Sequence, residues 1–189
     1  METKKIKYTI TFLSEWHAGS GLSSGAEADA VVIKDKNNLP YLPGKTIKGL
    51  LKDALMDMKE VQSDFNIEDL ESLFGKINTD ESTTAGTLFF SNVELPENEE
   101  KEISEEMSKH LYRIHASTKI EENGVAKNGS LRTMEVTIPL VLEGYISFEN
   151  ELSKNQHDLI EKATKWTRSL GANRNRGLGR CKIEIKAQL

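Results

Sequence analysis

Gly44-Lys45-Thr46 is the first place in the chain where residue types suggest a ligand. A Gly-Lys-Thr run closes the P-loops that hold nucleotide phosphates on a glycine-rich backbone. Such a loop needs another glycine at the position that Leu39 occupies, and Pro40 and Pro43 remove two backbone donors from the would-be cradle. The spacing therefore argues against ATP and for a helix start. Ile47, Leu50, Leu51, Ala54, Leu55 and Met58 recur at helical spacing, and Lys45, Lys48 and Lys52 fall on another face. Lysines in the first turns oppose the helix dipole and repel one another. Either this face is simply solvated, or an anion rests on its lysines and free N–H groups.

A second basic segment, Leu170 to Arg180 (LGANRNRGLGR), stands near the end of the chain. Gly171, Gly177 and Gly179 let the backbone approach a ligand closely, and Arg174, Arg176 and Arg180 carry planar donors matched to phosphate oxygens. A helix C-cap followed by a turn would use the same residues structurally. As a ligand site, its composition points first to a nucleic-acid backbone.

Composition sets limits on both readings. The 189 residues suit one domain with a sizeable core, and 29% charged with 37% hydrophobic residues exclude wholesale disorder. The net charge of −5 runs against a nucleic-acid binder. Much of the acid, however, lies in one block, Glu94 to Glu106 (ELPENEEKEISEE). Cys181 is the only cysteine, so no internal disulfide or multi-cysteine zinc site can form, and His17, His110, His115 and His157 show no metal-ligand spacing. METKKIKYTITFL lacks the apolar core of a signal peptide, and no apolar run reaches membrane-span length, so a cytoplasmic location without membrane contact is expected.

The elements that must position these segments follow from periodicity. Lys4 to Leu13 alternates like a half-buried strand, and Ser14 to Ala28 is a glycine- and serine-rich loop. Asp29 to Asp35 is a short extended piece ended by Asn37-Asn38, followed by a helix over Thr46 to Lys59. A shorter helix over Ile67 to Phe74 stops at Gly75, and Thr87 to Val93 is a strand. Ile114 to Ser130 is polar and reads as a protruding hairpin. Met134 to Leu142 alternates as the longest strand region, bent at Gly144 before Tyr145 to Phe148. Ser153 and Gln156 form a capping box for a helix striped by Leu159, Ile160, Ala163, Trp166 and Leu170, with Gly171 as its stop. Gly177 to Lys186 is the last strand. Trp16, Trp166 and Cys181 are expected in the core. The order predicts an α+β fold with a ferredoxin-like, RNA-recognition-motif-like βαββαβ core, inserted loops and a hairpin, as one domain over residues 1–189.

Seven segments together resemble the CRISPR-associated RAMP superfamily, in particular the backbone subunits of type III RNA-guided effector complexes. They are WHAGSG (16–21), DAVVIKD (29–35), LPYLPGKTIKGLL (39–51), LFG (73–75), AGTLFFSNV (85–93), GVAKNGSL (124–131) and GANRNRGLGR (171–180). They follow the family's order over most of the chain.

The resemblance implies a subunit that grips guide RNA by its backbone. Partners would be target single-stranded RNA, copies of itself or related RAMP subunits, and other type III effector subunits. The RNA contacts it implies are His17, Gly19, Ser20, Lys45, Thr46, Lys48, Lys127, Arg132, Arg174, Asn175, Arg176, Gly177 and Gly179. The 114–130 hairpin resembles the family's thumb, which wedges into the guide–target duplex. In the subunits that cut target RNA, an aspartate in a flexible loop matches Asp29, with Glu27 and Asp35 as fallback ligands. The implied chemistry is endonucleolytic cleavage with Mg²⁺ or another divalent cation at Asp29, the adjacent 2′-OH attacking to leave a cyclic phosphate. Two alternatives stay open: a non-catalytic RNA-holding subunit, and a guide-processing endoribonuclease using His17 as general acid or base. Packing or RNA stacking is the favoured role of His17.

Overall fold

The computed structural model describes residues 3–24, 28–61, 65–77 and 82–188. In chain order the elements are β1 (Lys4–Phe12), α1 (Gly44–Val61), α2 (Ile67–Phe74), β2 (Gly75–Ile77), β3 (Thr83–Ala85) and β4 (Phe89–Phe90). After these come α3 (Glu97–Glu102), α4 (Glu105–Ser108), β5 (Tyr112–Ser117), β6 (Arg132–Thr137), β7 (Val141–Phe148), α5 (Lys154–Trp166) and β8 (Cys181–Gln188).

The central antiparallel sheet has the order β4-β7-β1-β8. Together with α1 and α5 this is a ferredoxin-like βαββαβ core, with β1 and β4 flanking β7. Alternation along β1 sends Ile6, Tyr8, Ile10 and Phe12 into the core, where they meet Ile47, Leu51 and Leu55 of α1 and Leu159, Ile160 and Ala163 of α5. Each such aliphatic side chain contributes roughly 1.5–3 kcal/mol when fully removed from water. The capping box is present: Gln156 N donates to Ser153 Oγ at 3.2 Å, and Ser153 N donates to Gln156 Oε1 at 2.9 Å.

Several expectations need correction. Met134 to Leu142 is not one strand, because Pro139 lies between β6 and β7 and the two belong to different sheets. Gly144 makes no bend: it pairs with Tyr8 inside the sheet, and a Cβ there would lie 2.9 Å from the Tyr8 ring, so the glycine makes room for a buried aromatic. The last helix ends at Trp166 with Thr167 as its cap, four residues before the expected stop at Gly171, and Trp166 is 40% exposed rather than core. Trp16 is core, stacked on Phe12 at 4.3 Å, as is Cys181. The predicted strand over 87–93 shrinks to β4 plus an isolated bridge from Val93 to Leu42. The small β2–β3 hairpin carries no alternating pattern that sequence could reveal.

Candidate nucleic-acid interface

The site is built around one strand outside the central sheet. β5 and β6 form a hairpin from Tyr112 to Thr137, which contains the 114–130 region expected to protrude, and most of the 118–131 stretch at its tip is exposed. Near the hairpin's base, residues 133–137 of β6 gather three segments that are distant in sequence. Trp16 pairs with Thr137 through two main-chain hydrogen bonds of 3.0 and 2.8 Å. Ala30 bridges Met134 in parallel. Asn173, left-handed at φ 55°, points its amide at the Met134 sulfur, 3.6 Å away.

Asp29 is exposed and held by this strand. Its N–H donates to the Thr133 carbonyl at 3.0 Å, and the Thr133 N–H donates back to Asp29 Oδ2 at 2.8 Å. Among the described residues Oδ1 makes no hydrogen bond, so one carboxylate oxygen is fixed and the other faces solvent. Asp35, by contrast, spends Oδ1 on the N–H groups of Asn37 and Leu39, at 2.8 and 2.7 Å, closing a turn. Glu27 lies outside the described residues.

His17 is buried, at 5% exposure, and donates from Nδ1 to the Glu135 carbonyl at 2.6 Å. Its own carbonyl accepts from Ala172 N at 2.9 Å. A Cβ on Gly171 would lie 2.3 Å from that carbonyl, and one on Gly19 would lie 3.1 Å from His17 Nε2. Close packing around His17 therefore explains both glycines. Ser20 donates to the Val31 carbonyl through its N–H and its hydroxyl, which ties the first loop to the Asp29 segment.

The two basic segments divide by edge. Arg174, Asn175 and Arg176 form an exposed single turn, ended by left-handed Gly177, whose Cβ position is open space. Among the described residues the two guanidinium groups have no hydrogen-bond or ion-pair partner. Gly179 is internal, since a Cβ there would sit 1.8 Å from the Leu170 carbonyl. The start of α1 lies instead beside β4, on the sheet edge opposite β8, where Gly44 packs on the Phe90 and Ser91 carbonyls. Lys45 and Thr46 are exposed there. Lys48 donates to the Leu88 carbonyl at 2.7 Å, and burial, with Lys52 second, holds its pKa below the ordinary lysine value. Lys52 donates to the Gly75 carbonyl at 2.6 Å. Between the two segments, the Leu50 to Asp57 stretch of α1 shares a groove with Trp166 to Ser169 and Arg174. Lys127 and Arg132 are exposed on the hairpin.

Sequence reasoning missed Thr133, Glu135 and Glu15. Glu135 takes Lys34 at 2.7 Å, and Lys34 lies over the Tyr112 ring at 3.9 Å. Glu15 receives Arg113 at 2.9 Å and also meets His115, alternate residues of β5, and so pins the hairpin to the body. Nothing local marks these carboxylates, because their partners lie about a hundred residues away.

The RAMP superfamily model matches residues 9–182, and the chain belongs to that superfamily. Its fold is similar to a chain in the cryo-EM structure of the type III-B Cmr-beta bound to cognate target RNA, with TM-score 0.75, 11% identity and 96% of each chain covered. A chain of the type III-B Cmr-beta in its apo state is similar over 96% of each chain as well, with TM-score 0.69 and 10% identity. No curated protein matches the sequence. Among the described residues no helix is long and apolar enough to cross a membrane.

Proposed function

We propose that this chain is a backbone subunit of a type III RNA-guided effector, which holds guide RNA by its phosphates and cuts the paired target strand through Asp29. The convergence on β6 carries the reading. A solvent-facing carboxylate, the base of a protruding hairpin and a turn with two unpartnered arginines meet on five consecutive residues. The similar fold in an effector bound to target RNA supports an RNA partner, with neighbouring effector subunits as further partners. Much of the acid behind the net charge of −5 is gathered in α3 and α4, outside the segments that carry Arg174 and Arg176.

Among the described residues, no three His, Cys, Asp or Glu side chains gather around a common point. One hard carboxylate oxygen suits a hydrated Mg²⁺ that keeps water and takes its other ligands from substrate phosphate, and it does not suit zinc. Asp29 would hold the ion through Oδ1 while Thr133 keeps Oδ2 oriented. A dication there supplies positive charge opposite the phosphate oxygens as the 2′-OH attacks. Arg174 and Arg176 fix RNA phosphates by forked hydrogen bonds, and left-handed Gly177 lets the backbone come close. His17 is spent on packing, which disfavours the guide-processing reading.

In the assembled effector, Asp29→Ala should lower target cutting by about a hundred-fold or more, with target affinity held within about two-fold. Regularly spaced, metal-dependent cuts by the wild type set this reading apart from a subunit that only holds RNA. Undiminished cutting by Asp29→Ala would remove the residue from the chemistry.

A further inference from the structure

Thr133 alone does not fix the segment that carries Asp29. That segment runs beside β6 in parallel, and the ladder between them stops early. Asp29 N donates to the Thr133 carbonyl and Glu135 N donates to the Ala30 carbonyl, at 3.0 and 2.9 Å. The next acceptor on β6, the Glu135 carbonyl, is taken by His17 Nδ1. Val32 N is thereby left without a main-chain acceptor on this side, and the Glu135 side chain replaces it. Its Oε2 accepts from Val32 N at 3.0 Å, and its Oε1 accepts from Lys34 Nζ at 2.7 Å. Only 12% of that side chain is exposed, so the bonds form in a setting poor in competing water.

We propose that Glu135 is the positioning residue for Asp29, an inference that rests on the reading of Asp29 as the catalytic carboxylate. Four of its groups tie together the loop that carries His17, the Asp29 segment and the hairpin base. On the other side the segment is held by Ser20 N to the Val31 carbonyl at 3.0 Å and Ile33 N to the Ala18 carbonyl at 2.8 Å. Loss of the Glu135 carboxylate leaves this outer pairing and the Thr133 bonds in place. The segment should therefore stay folded while Asp29 shifts relative to β6. A displacement of about 1 Å at a reacting group costs on the order of a hundred-fold in rate.

The test uses the full chain in the assembled effector, with Glu135→Ala, Glu135→Gln and Asp29→Ala compared under single turnover across an Mg²⁺ titration. Glu135→Ala should cut roughly ten- to a hundred-fold more slowly, need more Mg²⁺ for half-maximal rate, and bind target as tightly as the wild type. Glu135→Gln keeps an acceptor for Val32 N and loses only the Lys34 ion pair, so its defect should be milder. The double variant Asp29→Ala with Glu135→Ala should be no slower than Asp29→Ala alone, because both act on one step. If Glu135→Ala cuts normally while Asp29→Ala does not, the positioning role is wrong and the function stands. If target binding and thermal stability fall in step with the rate for both Glu135 variants, Glu135 is structural only and the proposal fails. Wild-type cutting by Asp29→Ala overturns the function and this inference together.

Discussion

The start of α1 and the 170–180 loop carry the same compositional signal, glycines among basic residues, and they use it in opposite ways. At the α1 start, Lys48 and Lys52 are turned inward onto the Leu88 and Gly75 carbonyls, leaving Lys45 exposed beside Thr46 and Gly49. In the loop the glycines are turned inward, Gly171 against His17 and Gly179 against Leu170, while Arg174 and Arg176 face solvent. Nearby carbonyls explain the difference. A lysine on a helix flank can reach the carbonyl of a neighbouring segment, and hydrogen bonding a buried acceptor favours that geometry. The arginines stand on an exposed turn, where among the described residues they have no hydrogen-bond or ion-pair partner. Basic charge near a glycine is therefore a sign of RNA contact only where the fold leaves the charge unspent.

The largest effect that would break this comparison concerns the inward glycines. Gly179→Ala combines a left-handed backbone, φ 71°, with a Cβ 1.8 Å from the Leu170 carbonyl. It should cost about 3 kcal/mol or more in a urea titration. Gly177→Ala has left-handed strain but open space around it, and should cost only about 1 kcal/mol. Equal costs would mean that the loop is not packed as described.

Next in size is the arginine pair. Arg174→Ala with Arg176→Ala should leave the urea midpoint unchanged and weaken guide-RNA binding. The log–log salt slope should become shallower by about 0.7 for each phosphate that the turn no longer neutralises. An unchanged slope would take the turn out of the interface.

The lysines give a smaller, sharper test. Lys45→Met should flatten the salt slope by about 0.7 without affecting stability. Lys48→Met should barely move the slope and should shift stability by about 1 kcal/mol, because it takes the donor from Leu88. The reverse pattern would mean that Lys48 leaves its carbonyl when RNA binds.

The smallest effect is in alkali. Burial pushes the Cys181 thiol from its ordinary 9.0 to about 12 and raises the Tyr8 phenol well above its ordinary 10.0. Tyr112 is raised as well, by burial first and then by Glu135 and Asp35. These groups stay protonated when folded and ionise first in the unfolded chain. Their contribution is full below about pH 9 and is lost as pH rises from there. Lys48 acts with the opposite sign, since its lowered folded pKa lets the folded chain release a proton that the unfolded chain still holds below 10.5. Lys7 and Lys101, raised by their hydrogen bonds to Glu143 and Glu97, act in the same direction as the three buried groups, so the urea midpoint should fall between pH 9 and 11. A midpoint that rises over this range would contradict the burial of these side chains.

Much of the scaffold was legible in the sequence because it is written in local periodicity. Alternation along Ile6, Tyr8, Ile10 and Phe12 marked β1, the stripe from Ile47 to Met58 marked α1, and Ser153 with Gln156 marked the start of α5. The failures share a cause. Trp166 sits at the last position of its helix and is 40% exposed, lining a groove with α1. Gly144 read as a bend because its reason, the Tyr8 ring on the neighbouring strand, lies 136 residues away in the chain.

By itself the sequence determined β1, α1, α2 and the start of α5, the ferredoxin-like order and the kinship with the RAMP superfamily, since each depends on spacing within short segments. Tertiary structure alone decided which charges are free. It sent Lys48 and Lys52 to carbonyls, left Arg174 and Arg176 without partners among the described residues, and placed Glu135 where a parallel ladder runs out of acceptors. Those outcomes turn on hydrogen bonds between residues from about 20 to more than 100 positions apart, and only the fold brings such groups within 3 Å of each other.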